Sequence, residues 1–291
     1  MKAFLKRIYF LFIVFCDICG TNIVNLTFKI FKKKSNNSKY IIVYAPFRYK
    51  PWILNKIIND LKNSSRKKDS YKIFNTLLAV SIFRLFNGGN ILSMHQSSLK
   101  KLYLAGFELK YISTYYTHSK LIQNGTSYLR KVNKVFCQNN YEYAFLQSSG
   151  ISANNLVSFP MGIHDNFLNI DSFKNFKKRD IDVIFSLRYF VEHQHYKIRK
   201  RYEFIINLAN LLSDSNFNVC ILGNGWNNKE ITLRENILVP AVDFSQYPNF
   251  YQNSKIYCNV SLAEGGPISL LEAFSSGCII FTAPTGLAFD L

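Results

Sequence analysis

Residues Ser261 to Gly277, SLAEGGPISLLEAFSSG, carry two carboxylates, Glu264 and Glu272, with seven residues between them and Gly265, Gly266 and Pro267 directly after the first. Proline suits the first helical position, so the spacing predicts Glu264 in a loop and Glu272 inside the first turns of a helix. Two glycines let a ligand approach the backbone closely, and a helix N-terminus offers unpaired N–H groups with a partial positive charge. That combination holds a diphosphate. A carboxylate repels such an anion, so two acids beside it make sense as acceptors for hydroxyls, those of a ribose diol and of a sugar. The segment by itself implies a nucleotide-sugar, with Glu272 toward the ribose and Glu264 toward the hexose. The plain alternative is a pair of glutamates that cap or solvate a helix.

The segment must sit where a strand gives way to a helix, and the hydrophobic pattern supplies both in alternation. Tyr40 to Ala45 reads as a buried parallel strand, Trp52 to Leu61 and Tyr71 to Phe86 as helices, and Asn90 to Met94 and Tyr111 to Tyr115 as strands around the amphipathic Leu99 to Ala105. Lys134 to Gln138 and Leu156 to Phe159 read as strands around a helix from Tyr141 to Gln147. A charged, apolar-poor stretch from Asp171 to Asp180 breaks the pattern as a linker. Then strands Ile181 to Leu187, Phe217 to Leu222, Ile237 to Val239, Lys255 to Val260 and Cys278 to Phe281 alternate with helices Lys200 to Leu212, Tyr247 to Gln252 and Pro267 to Ser275. Two such series imply an α/β protein of two doubly wound parallel-sheet domains facing across a cleft, with ligands at the carboxyl ends of the strands.

Composition bounds the rest. The chain has 291 residues, 36 Lys+Arg against 18 Asp+Glu for a net charge of +18, and 48% hydrophobic residues. So much apolar content excludes a disordered chain, and the short, broken apolar runs exclude a polytopic membrane protein. The basic excess calls for nucleic acid, an anionic membrane surface or phosphorylated small molecules, unless it reflects only a bias toward Lys, Asn and Ile. No RNP, zinc-finger or helix-turn-helix signature supports nucleic acid.

The N-terminal apolar run Ile8 to Cys16 is too short to span a bilayer. With Lys2, Lys6 and Arg7 before it and Lys32, Lys33 and Lys34 after the later pattern, residues 1–36 read as a segment lying in an anionic membrane interface, or as a helix packed on the body. The six cysteines, Cys16, Cys19, Cys137, Cys220, Cys258 and Cys278, form no disulfide framework and place the chain in a reducing compartment. Cys16 and Cys19 form a lone C-x-x-C with no second pair to make a zinc site. There is no Asp-x-Asp, and His193 and His195 beside Glu192 make a poor metal site.

With these motifs assembled, the Glu264 to Glu272 segment resembles the Glu-x7-Glu signature of retaining glycosyltransferases of the GT-B fold, family 4 type, also called glycosyl transferases group 1. Three further stretches match in order. KVFCQNNYEYAFLQSSGISANNLVSFPMGIHDNF (Lys134 to Phe167) resembles the end of the family's N-terminal domain. IFSLRYF and IRKRYEFIINLANLL (within Ile184 to Leu212) resemble the first strand and helix of its nucleotide-binding domain, and NVCILGNGW (Asn218 to Trp226) the next strand and its glycine turn at Gly223.

The resemblance implies a retaining transfer of a sugar from a nucleoside-diphosphate sugar to a glycan or lipid-linked acceptor, in bacterial surface polysaccharide, lipopolysaccharide or capsule assembly on the cytoplasmic membrane face. It puts diphosphate binding on Arg188 and Lys200, with Lys197, Arg199 and Arg201 close enough to compete for the second role. Gly223, Gly265, Gly266 and Glu272 complete the donor site, and Glu264 and His118 stand beside the transferred sugar, with His95 as an alternative at the preceding strand. No metal or other cofactor is implied. The domains would be residues 37–170 on the acceptor side and 181–291 on the donor side. Two departures stand out: APFRYKPW replaces the usual glycine-rich turn after the first strand, and a chain ending at Leu291 leaves the second domain short of its usual helices, as in a truncated product. Competing expectations are a catalytically impaired nucleotide-sugar-binding partner and a sugar-nucleotide epimerase.

Overall fold

The computed structural model describes residues 17–19, 21–22, 40–45, 71–116, 126–159, 162–168, 175–191, 194–228 and 230–291. Its contacts cluster into two units: the first covers most of the chain up to Phe159, the second Pro160–Leu291 together with Gln138–Glu142. The expected helix Trp52 to Leu61 and the turn APFRYKPW beyond Ala45 lie outside the described residues.

In the first unit, β1 (Ile41–Tyr44), β2 (Tyr71–Phe74), α1 (Leu77–Asn87), β3 (Asn90–Ser93), α2 (Leu99–Leu104), β4 (Ile112–Tyr116), α3 (Thr126–Leu129), β5 (Lys134–Cys137), α4 (Asn140–Ser148) and β6 (Leu156–Ser158) follow one another. The six strands form one sheet in the order β2-β1-β3-β4-β5-β6, parallel at every pairing. Strands buried on both faces need continuous apolar runs, and Ile42, Ile91, Ile112, Tyr116 and Val135 share one core with Leu102 and Leu146 from the helices.

The expected helix Tyr71 to Phe86 is in fact two elements. Tyr71–Phe74 pairs in parallel with β1, and the helix starts only at Leu77. Thr76 caps it by accepting from Ala79 N at 3.3 Å, and the Asp17 carboxylate accepts from Leu77 N at 2.9 Å and Leu78 N at 2.8 Å. Residues 17–19 and 21–22 are helical, and Ile18 packs on the first core. The remainder of the 1–36 segment lies outside the described residues. Among the described residues no helix is long and apolar enough to cross a membrane.

The second unit runs β7 (Ile181–Ser186), α5 (Gln194–Lys200), α6 (Tyr202–Asp214), β8 (Val219–Leu222), α7 (Tyr247–Gln252), β9 (Ser254–Asn259), α8 (Ile268–Ser275) and β10 (Ile279–Thr282). Its four parallel strands are ordered β10-β9-β7-β8, so the winding reverses between β7 and β9. In doubly wound sheets that reversal opens a crevice at the carboxyl ends of the two strands. One core on each face buries the sheet, Val183, Phe185 and Trp226 on one side and Ile184, Tyr251 and Leu270 on the other.

Three local expectations change here. The helix read as Lys200 to Leu212 breaks at Arg201, which takes left-handed angles (φ 54°, ψ 49°), so Lys200 ends α5 and Tyr202 begins α6. Ile237 to Val239 gives a single bridge, Cys220 to Leu238, in place of a strand. Pro267 caps α8 from outside the helix, which starts at Ile268. The end of the Asp171 to Asp180 stretch is built into the unit: the Arg179 guanidinium is buried and donates to Ser254 O at 2.5 Å and to Gly277 O and Ser276 O at 3.0 Å each. Cys220, Cys258 and Cys278 are buried free thiols whose pKa values burial pushes up to about 12, whereas Cys19 is exposed.

Candidate functional site

The carboxyl end of β7 leads into Leu187–Tyr189, a loop held from below. Trp226 Nε1 donates to Leu187 O at 2.8 Å, Tyr202 Oη donates to Arg188 O at 2.7 Å, and Leu187 N donates to Leu222 O at 3.0 Å. Tyr189, Tyr202 and Trp226 form one aromatic cluster beneath it. Gly223, at φ +139°, lies so close that an added Cβ would stand 2.3 Å from Leu187 O, a clash with backbone that cannot move aside. The backbone beside Arg188 is therefore fixed, while its side chain is exposed and spans the Phe190 ring at 5.0 Å. Among the described residues Arg188 has no carboxylate partner within salt-bridge distance.

Beyond β9, Glu264 is buried and doubly engaged. Arg199 Nη1 donates to Glu264 Oε2 at 3.2 Å and to Ala263 O at 3.0 Å, and Lys200 Nζ bonds the other oxygen, Oε1. Arg199 is the residue that sequence reasoning did not single out. Its signal, a place among the four basic residues Lys197, Arg199, Lys200 and Arg201, could not say which of them turns inward.

The Glu264–Gly266 loop is packed tightly on both sides. Gln138–Glu142 cluster with this unit; Asn139 Nδ2 donates to Gly265 O at 2.7 Å, and a Cβ on Gly266 would meet Gln138 Oε1 at 2.6 Å. On the other side Leu287 N donates to Gly265 O at 3.1 Å, and a Cβ on Gly286, at φ +55°, would stand 2.0 Å from Gly265 O. Gly286→Ala should therefore displace the loop that carries Glu264. A cost of about 1–3 kcal/mol follows from the contact and the positive φ together, lowering the melting temperature by roughly 3–10 °C. Thermal denaturation checks this, and an unchanged melting temperature would contradict it.

Glu272 sits in α8 with its carboxyl buried, facing Tyr247, Tyr251 and Tyr257. Burial first, and the Glu272 charge with it, push the Tyr247 and Tyr251 hydroxyls above their ordinary pKa. Arg188 acts on the same Tyr247 in the opposite sense, so Tyr247 feels both the acid and the base. The Tyr251 hydroxyl lies beside Ser186, the last residue of β7. Arg188, Lys200, Gly223, Glu264, Gly265, Gly266 and Glu272 are thus brought to the carboxyl edge of the second sheet, around its winding reversal. The arrangement offers cations and glycine backbone to an anion and buried carboxylates to hydroxyls.

Two histidines are also expected at the site. His118 lies outside the described residues. His95 belongs to the first unit and is buried as a cap: its Nδ1 accepts from Ser97 N at 3.1 Å and meets Ser97 Oγ at 2.7 Å. Burial lowers its pKa from 6.5 to about 4. With the folded value the lower one, the unfolded chain takes the proton first as the pH falls. Stability present above pH 6.5 is then lost toward pH 4, by at most about 1.4 kcal/mol per pH unit. His95→Gln should flatten urea midpoints over that window; a slope equal to wild type would assign it to other groups. Among the described residues no group of three or more His, Cys, Asp or Glu is placed to hold a metal ion, and His193 lies outside them.

Comparison with known proteins bears on this site. Residues 173–290 match the family model described as Glycosyl transferases group 1. No curated protein matches the chain in sequence. The structure is similar to that of Anabaena Alr3699/HepE in complex with UDP and glucose, with 11% identity, a TM-score of 0.61, and coverage of 87% of this chain and 83% of that one. It is similar to the lipopolysaccharide outer core galactosyltransferase WaaB in its apo form, with 12% identity, a TM-score of 0.54 and coverage of 85% and 81%. Sucrose-phosphate synthase from Thermosynechococcus elongatus aligns with 12% identity, a TM-score of 0.53 and coverage of 72% and 59%. The chain has the two parallel-sheet units of the GT-B glycosyltransferases, and its second unit is where the glycosyl transferases group 1 model fits.

Proposed function

We propose that this chain is a retaining glycosyltransferase that moves a sugar from a nucleoside-diphosphate sugar, with UDP as the first nucleotide to test, to a hydroxyl of a glycan or lipid-linked acceptor. The observation that carries the proposal is the meeting of Lys200 with Glu264 at the winding reversal of the second sheet, with Arg188 and Glu272 on the same edge. The neighbour that holds UDP and glucose supports the choice of nucleotide.

In this assignment Glu272 accepts from the ribose hydroxyls and Glu264 from the sugar. Arg188, Lys200 and the N–H groups at the start of α8 take the charge that builds on the diphosphate as the glycosidic bond to phosphate lengthens. Groups fixed in advance around a developing charge supply the largest single contribution to such a rate, and here the sugar passes through an oxocarbenium-like state. The acceptor hydroxyl then attacks from the face the diphosphate leaves, which retains the configuration, and passes its proton to the departing diphosphate oxygen. The assignment calls for no metal ion. His118, outside the described residues, remains the candidate contact to the sugar. The basic N-terminal segment, together with the +18 charge, favours an acceptor presented at an anionic membrane surface.

A thermal-shift screen of UDP-, GDP- and ADP-sugars tests the donor site. A cognate donor at a hundred times its Kd should stabilise the fold by about 2.7 kcal/mol, and Glu272→Ala should abolish that response. No shift with any donor, or an equal shift in the variant, would overturn the assignment. Binding without transfer or donor hydrolysis would make the chain a non-catalytic nucleotide-sugar binder.

A further inference from the structure

Glu264 is clamped by two cations that are not equivalent. The Arg199 side chain is 7% exposed and the Lys200 side chain 20%, against 5% for Glu264 itself. Arg199 reaches Oε2 and Lys200 reaches Oε1, so each carboxylate oxygen has its own partner. Arg199 is also tied to the loop twice more: its Nη1 donates to Ala263 O at 3.0 Å, and its own carbonyl accepts from Leu262 N at 2.8 Å. The Tyr196 ring backs the guanidinium at 5.1 Å. Residues 262–264 are therefore joined to the end of α5 through Arg199. Lys200 adds one contact from the more open side.

We infer that Arg199 is the positioning residue of this site, fixing the Glu264 carboxylate from the buried side so that Lys200 can leave it for the donor's diphosphate, an assignment that rests on the proposed function above. The chemistry of the two side chains supports the division. A guanidinium is always charged and holds a planar fork in place, whereas a lysine ammonium is a point charge on a flexible stem. A buried carboxylate that loses its last counter-ion is strongly disfavoured, so Lys200 could not exchange carboxylate for phosphate unless a second cation stayed behind. Arg199 is that cation. The exchange moves no covalent bond: the ammonium trades one anionic oxygen for another while the guanidinium remains bound to Oε2.

The test reads Glu264 directly. Full-length protein carrying glutamate labelled with carbon-13 at the side-chain carboxyl is titrated by NMR, with Glu264→Gln assigning the signal. Tyr257 of β9 also faces Glu264, but burial pushes its pKa up and it stays protonated throughout. The Glu264 signal should titrate in Lys200→Ala within about half a pH unit of wild type, and in Arg199→Met at least about one pH unit higher, with Arg199→Lys between them. If Arg199→Met does not fold, Arg199→Lys carries the comparison, because it keeps the charge and loses the fork; its midpoint must still exceed that of Lys200→Ala. A larger rise in Lys200→Ala than in the Arg199 variants, or no rise in either Arg199 variant, would overturn the inference. Donor thermal shifts on the same samples keep the two questions separate. A wild type that binds no donor defeats the proposed function, while the titration still decides whether Arg199 or Lys200 governs the carboxylate.

Discussion

Lys200→Ala should lower kcat for sugar transfer by about 10²–10³, the loss typical of removing one fixed donor to a developing charge. The fold should survive, because Lys200 is partly exposed at the end of α5 and Arg199 continues to hold Glu264. Lys200→Arg should recover part of the rate, since the charge returns on a side chain of different reach. Steady-state kinetics with the donor found by thermal shift, alongside circular dichroism of each variant, checks this. A rate within threefold of wild type would remove Lys200 from the diphosphate site.

Arg179→Met should be the most damaging single change to stability, costing about 3 kcal/mol or more. The aliphatic part of the side chain is replaced, but Ser276 O and Gly277 O lose the guanidinium, and Ser254 O is left with the weak thiol donor Cys278 Sγ at 3.4 Å. Each stranded polar group costs about 1–3 kcal/mol, while the space left is small. Those carbonyls belong to the start of β9 and the turn between α8 and β10, so the loss falls on elements that flank the site. Urea unfolding should show a lower midpoint at an unchanged m-value. Arg179→Lys should recover only part, because one ammonium cannot reproduce the fork across carbonyls on two segments. A midpoint equal to wild type would show that water replaces the guanidinium.

What the chain order revealed was whatever is decided within a few residues. The strand, loop and helix around Glu264 and Glu272 are local: two glycines and a proline after an apolar run allow little else, and the structure places them accordingly. What stayed hidden was decided across the sequence. The split at Thr76 depends on Asp17, about sixty residues upstream, supplying a carboxylate to the start of α1. The choice between Arg199 and Lys200 depends on the helical phase set by Arg201, a non-glycine residue at positive φ, where periodicity alone runs α5 into α6. Arg179 looked like one more charge in a polar stretch because its partners lie 75 to 98 positions away.

The buried thiols give the second sheet its own reporter. Cys220, Cys258 and Cys278 occupy or adjoin β8, β9 and β10, and with pKa values near 12 almost none of each is thiolate at neutral pH. An alkylating reagent therefore reaches them only when those strands come apart. Pulsed labelling read by mass spectrometry, with Cys19 as the fast-reacting internal control, would time the opening of the donor-side sheet without any engineered probe.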